Sequence, residues 1–261
     1  MAYVVNEGAR LYWKQQGSGP PVLLIMGLSF THEMWFRVLP GLAGEYRTIV
    51  FDNRGVGRSD VPRGPYAMRR MASDARAVLD AAGVESAHVI GASMGGMIAQ
   101  ELALRYPQRV RSLTLGCTSS SGLFGKWPQF QYGPRQWPST SREERERSLR
   151  SLLYAEGTPA ERIEEDLRVR CACAWCYKGF LNQFAGILMW SAYRRLSRIS
   201  VPTLVVHGDQ DHLVPPQNGR VVAARIRGAR FELIRDAGHI LITDQPEACV
   251  ASIRGFLKEQ R

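Results

Sequence analysis

Short apolar runs alternate with longer stretches of helical periodicity along most of this 261-residue chain, and that alternation limits the folds open to it. The runs occupy residues 22–26, 48–52, 87–90, 112–115 and 203–207, and a more polar strand-like segment follows at 230–234. Helical stretches lie near 35–42, 67–82, 94–106, 218–226 and 246–258. Parallel strands must be joined by a crossover, usually a helix, so this order predicts a parallel sheet with helices on both faces. Runs that are apolar throughout suit strands buried on both sides. Residues 3–6 and 10–14, separated by Glu7-Gly8, predict an N-terminal hairpin. The expected class is α/β, with a mostly parallel, doubly wound sheet.

The alternation stops between residues 119 and 199. This segment opens with aromatics (Phe124, Trp127, Phe130, Tyr132, Trp137). Two charged helical stretches follow near 142–154 and 159–171, then a more apolar one at 180–190. An insertion of this size after the sixth strand predicts a helical lid over the carboxyl edge of the sheet, where open α/β folds bind ligands. Residues 1–118 and 200–261 would then form one core, with 119–199 inserted as the lid.

Composition narrows the function classes. The formal charge is +10, from 34 basic and 24 acidic residues, but no block of Arg and Lys forms, which argues against nucleic-acid binding. A basic face leaves an acyl carrier protein as a conceivable acidic partner. No apolar stretch approaches the roughly 20 residues of a membrane span, and the N-terminus lacks a basic head and an apolar signal core. The expectation is a cytoplasmic protein without membrane association. Cys171, Cys173 and Cys176 crowd together without a nearby histidine. That falls short of the usual tetrahedral zinc set, so these thiols are expected to pack, and no metal or cofactor is expected.

The chemistry concentrates around residue 93. There an apolar run meets Gly91-Ala-Ser-Met-Gly95 and passes into a helical stretch that Pro107 ends. A serine on such a strand-to-helix corner stands clear of the sheet, within reach of a base and a substrate. Side chains at Gly91 and Gly95 would obstruct the turn. Ser93 is the candidate nucleophile. It needs a histidine to take its proton and a carboxylate to orient that histidine. His32, His88, His207 and His212 fit structural or rim positions better than catalytic ones. His239 follows the last strand, at the same sheet edge as Ser93 and in the chain order Ser…Asp…His. Asp209 and Asp211 both lie in the loop after the preceding strand. Backbone N–H groups of Leu28 and Met94 are the expected oxyanion donors, one from the turn after the first parallel strand and one from the helix start.

The residues in five blocks carry a resemblance: Leu23-Leu-Ile-Met-Gly27, Phe51-Asp-Asn-Arg-Gly-Val-Gly-Arg-Ser59, Gly91-Ala-Ser-Met-Gly-Gly96, Pro202-Thr-Leu-Val-Val-His-Gly-Asp-Gln-Asp211 and Ala237-Gly-His239. Over essentially its whole length the chain resembles α/β-hydrolase fold proteins, in particular small bacterial carboxylesterases, enol-lactonases and metabolite methyl esterases. The resemblance selects Asp211 as the acid and leaves Asp209 as a turn residue. It marks 52–59 as a structural turn without chemistry, and it implies a pocket between lid and triad. The implied activity is hydrolysis of a small ester, thioester or lactone through an acyl-enzyme on Ser93. Carbon–carbon bond hydrolysis with the same triad is an alternative, as is a non-hydrolytic role (cyclase, lyase or small-molecule receptor). Trp35, Phe124, Trp127, Met189 and Trp190, together with Met97, are candidate contacts for an apolar substrate.

Overall fold

The computed structural model describes residues 2–122, 150–171 and 176–260. An antiparallel hairpin of β1 (Ala2–Asn6) and β2 (Ala9–Gln16) opens the chain. The hairpin borders a sheet built from β3 (Pro21–Ile25), β4 (Arg47–Phe51), β5 (Ala87–Ala92), β6 (Val110–Gly116), β7 (Thr203–Gly208) and β8 (Arg230–Ile234). The spatial order is β1-β2-β4-β3-β5-β6-β7-β8. β2 pairs antiparallel with β4, and every pairing from β4 onward is parallel.

Strand residues alternate between two cores. Leu23, Ile25 and Val89 face one side, packed under helices α2 (Met68–Ala81) and α3 (Met94–Arg105). Val22, Leu24 and Ile90 face the other, under Trp35, Leu42 and helix α8 (Pro246–Lys258). Burial on both faces explains why these strands read as continuous apolar runs. The sheet is doubly wound, as its sequence pattern predicts.

Two local expectations need correction. Residues 35–42 are not one helix: a 3₁₀ turn, His32–Arg37, gives way to a single α-turn, α1 (Leu39–Leu42). Pro40 lacks the N–H that a continuous helix would use and so restarts the ladder. The strand before Ser93 continues to Ala92, so the chain leaves the sheet and enters helix α3 across one residue.

Between β6 and β7 the described residues include α4 (Ala160–Cys171) and α5 (Tyr177–Leu188). The predicted stretch at 142–154 falls mostly outside the described residues, as do Phe124 and Trp127. Beyond β7 come α6 (Gln217–Arg225), then the one-turn α7 (Leu241–Asp244) after β8. Among the described residues no helix is long and apolar enough to cross a membrane.

Candidate active site

Ser93 lies between the last residue of β5 and the first of α3, at φ 55° and ψ −120°. A non-glycine residue holds such a conformation at a cost of about 1–3 kcal/mol, so its surroundings must over-determine it. They do. The Ser93 N–H donates to the Gly116 carbonyl (2.8 Å), and its own carbonyl accepts from the Thr118 hydroxyl (2.7 Å). Close packing leaves no room for side chains beside it. A Cβ on Gly95 would lie 2.0 Å from the Ile25 carbonyl oxygen, and one on Gly91 would lie 2.4 Å from that of Gly95.

Three side chains from distant parts of the chain meet at this corner. Asp211 Oδ2 lies 2.9 Å from His239 Nδ1, and His239 Nε2 lies 3.0 Å from Ser93 Oγ. A carboxylate can only accept, so Nδ1 carries the proton and Nε2 is left as acceptor for the serine hydroxyl. The other oxygen of Asp211 accepts the backbone N–H groups of Leu213 (3.0 Å) and Val214 (2.7 Å). Burial pushes this carboxyl upward, but the charge on His239 and hydrogen bonds from His207 and His239 outweigh it and hold the group down to about 2. Asp211 is therefore ionised at neutral pH. Asp209 is exposed and accepts the Ala237 N–H at 3.3 Å, a turn contact.

The remaining histidines occupy structural or surface positions. His88 is buried against the Ser112 hydroxyl (2.8 Å). His207 donates to the Val214 carbonyl (2.8 Å), closing the loop that carries Asp211. His212 is exposed. His32 donates to Asp52 (2.7 Å), whose carboxylate also accepts the N–H groups of His32 and Arg58. That network belongs to the 52–59 turn, and it acts on the site from behind. Asn53 donates to the Met26 carbonyl (2.9 Å), steadying the turn that holds Leu28.

Leu28 and Met94 border the same cavity as Ser93 and His239, and neither N–H has an acceptor among the described residues. Gln183 on α5 was not singled out by sequence. Its oxygen accepts the Ser29 N–H (3.0 Å) and its nitrogen donates to the Arg54 carbonyl (2.8 Å), so one buried amide joins the inserted segment to the Leu28 turn. The sequence signal for it is a polar pair, Asn182-Gln183, in a mainly apolar helical stretch.

The cavity beside Ser93 measures about 290 Å³. Phe180, Phe184 and Ile187 reach it from α5, joined by Leu153 and Arg170 from the insertion and by Met97, Leu213 and Val214 from the core. Three residues expected at the substrate do not line it. Trp35 is buried in the core under α8 and borders a separate small void with Ile90 and Leu241. Trp190 is buried with its indole N–H on Glu101 (3.0 Å), and Met189 is 64% exposed. Both follow the end of α5, whose cavity-facing residues recur at i, i+4 and i+7 and stop at Ile187.

Donor atoms of Cys117, Asp211 and His239 all lie within 4.8 Å of one another. The carboxylate and imidazole are already bonded to each other, and burial raises the Cys117 thiol well above its usual range. A neutral thiol is a poor metal ligand, so this donor set suits a hydrogen-bonded relay better than a metal. Cys176 caps α5 by accepting the Gly179 N–H (3.4 Å), a packing role. Cys173 and the Cys171 side chain lie outside the described residues.

Residues 20–246 match the family model described as alpha/beta hydrolase fold. The chain is 33% identical to a candidate carbamate hydrolase, RutD, of Azorhizobium caulinodans, covering 99% of both chains. It is 25% identical to 3-oxoadipate enol-lactonase 1 of Acinetobacter baylyi, over 92% of this chain and 90% of that one. A solved thermophilic esterase from Thermogutta terrifontis superposes with a TM-score of 0.84 at 27% identity, covering 99% of this chain and 98% of its own.

Proposed function

Because the chain belongs to the α/β-hydrolase fold family, we propose that it is a serine hydrolase acting on a carboxylic ester, thioester or lactone of a small apolar metabolite. The observation that carries this reading is the continuous hydrogen-bonded chain Asp211–His239–Ser93 opening onto a largely apolar cavity. His239 Nε2 takes the proton of Ser93 as Oγ attacks the substrate carbonyl. The N–H groups of Leu28 and Met94 receive the developing oxyanion, Met94 adding the positive end of α3. The tetrahedral intermediate collapses, the bond to the leaving group breaks, and His239 returns the proton to that group. A water molecule, deprotonated by His239, then cleaves the acyl-enzyme, and Ser93 regains its proton. Asp211 stays ionised throughout and stabilises the imidazolium.

A cavity near 290 Å³ suits small molecules, and its apolar walls favour an apolar acyl or ring group. A fluorophosphonate probe tests the reading directly, since covalent capture at Ser93 is expected. Ser93→Ala should abolish labelling and lower turnover of an activated ester on the order of 10⁶-fold. A folded protein that resists the probe would favour a receptor or a non-covalent lyase. Labelling without hydrolysis of any ester, thioester or lactone would turn the search to carbon–carbon bonds.

A further inference from the structure

Arg170 is the one permanently charged side chain lining the cavity beside Ser93 among the described residues. It projects from the last turn of α4, and its guanidinium stacks 4.7 Å above the ring centroid of Phe30, another wall residue. The acid one turn earlier would be its natural partner. That acid, Asp166, is already committed to Arg37, to the Tyr154 hydroxyl (3.1 Å) and to the Thr243 hydroxyl (2.7 Å). Glu165 pairs with Arg37 as well, at 2.6 Å. Among the described residues no carboxylate bonds Arg170. The other polar groups around the cavity, from Ser29, Ser119, Ser121 and Asn218, are neutral.

We propose that Arg170 receives a carboxylate borne by the substrate, remote from the scissile carbonyl, so that the preferred ester or lactone is an apolar molecule with one anionic end. This inference rests on the reading of Ser93 as nucleophile in the same cavity. The physical basis is a cation with no carboxylate bonded to it among the described residues, held against apolar walls where an incoming anion is screened less than in water. The guanidinium sits over the Phe30 ring, and since its N–H groups bond no carboxylate among the described residues, they can bind an incoming one in bidentate fashion. A neutral substrate of the same shape would leave that fork unanswered.

The test compares p-nitrophenyl half-esters of succinate, adipate and suberate with neutral esters in which an isopropyl group replaces the carboxylate. The alcohol side is covered by 3-acetoxybenzoate beside 3-methylphenyl acetate. At least one anionic member should be preferred by kcat/KM. Arg170→Gln should reduce that preference about 10- to 100-fold, chiefly through KM, and Arg170→Lys should restore part of it. Equal loss on anionic and neutral esters would mark Arg170 as a wall residue and overturn the proposal, as would a preference for neutral esters throughout both series. Should no ester be hydrolysed, the ester-hydrolase reading fails separately. The proposal is then decided by calorimetric titration of the Ser93→Ala protein with succinate, adipate and suberate. Affinity that depends on Arg170 supports it, and no binding, or binding indifferent to Arg170→Gln, ends it.

Discussion

At the scale of single residues, the corner at Ser93 trades backbone comfort for exposure of one hydroxyl, and the glycines around it make that possible. Gly95→Ala tests this directly. In a helix, alanine gains about 1 kcal/mol over glycine, but here its methyl would sit 2.0 Å from the carbonyl oxygen of Ile25, in a central strand. The clash should win, with a net loss of about 3 kcal/mol by denaturant unfolding and loss of activity. Asp211 yields a prediction in pH. Its carboxyl is held at about 2 in the folded protein, below the roughly 3.9 of an unfolded chain. A depressed acid contributes stability that is whole above the unfolded value and disappears as pH falls through the folded one. The difference in unfolding free energy between wild type and Asp211→Asn should therefore shrink by on the order of 2 kcal/mol between pH 5 and pH 2.

At the scale of elements, the site depends on contacts between segments that contribute no reacting atom. Helix α5 supplies Gln183, whose amide holds both the Ser29 N–H and the Arg54 carbonyl. Gln183→Leu removes both bonds and frees the turn that carries Leu28. A displacement of about 1 Å at such a donor can cost 10²-fold, so kcat/KM should fall roughly 10- to 100-fold, with the melting temperature also lowered. The loop bearing His239 is braced in the same way. Asp244 on α7 accepts the Gly238 N–H (2.6 Å), the Thr158 hydroxyl (2.6 Å) and the Ala155 N–H (3.3 Å), tying that loop to the insertion. Strands and helices of the core were legible because burial on both sheet faces writes a plain apolar pattern. The 3₁₀ turn at His32–Arg37 was not, since a proline near a helix start and one within a helix look alike until the neighbours are known.

Across the whole molecule, the segment between β6 and β7 joins the rest of the chain through a buried polar hub at Asp166, which accepts from Arg37, from Tyr154 of the same segment and from Thr243 beyond the last strand. Asp166→Ala would leave the largely buried Arg37 without this partner. A loss of about 3–5 kcal/mol in unfolding free energy is expected, measured by urea titration. By itself the sequence determined the wound sheet, the elbow, and the order of serine, aspartate and histidine, because local turn chemistry and apolar periodicity are properties of neighbouring residues. Only the tertiary structure decided which side chains surround the cavity. Trp35 and Trp190 went to packing, Met189 to solvent, Arg170 to the cavity wall and Gln183 to the Ser29 backbone beside Leu28, because a residue's surroundings depend on helix phase and crossing geometry, which are set between segments far apart in the chain.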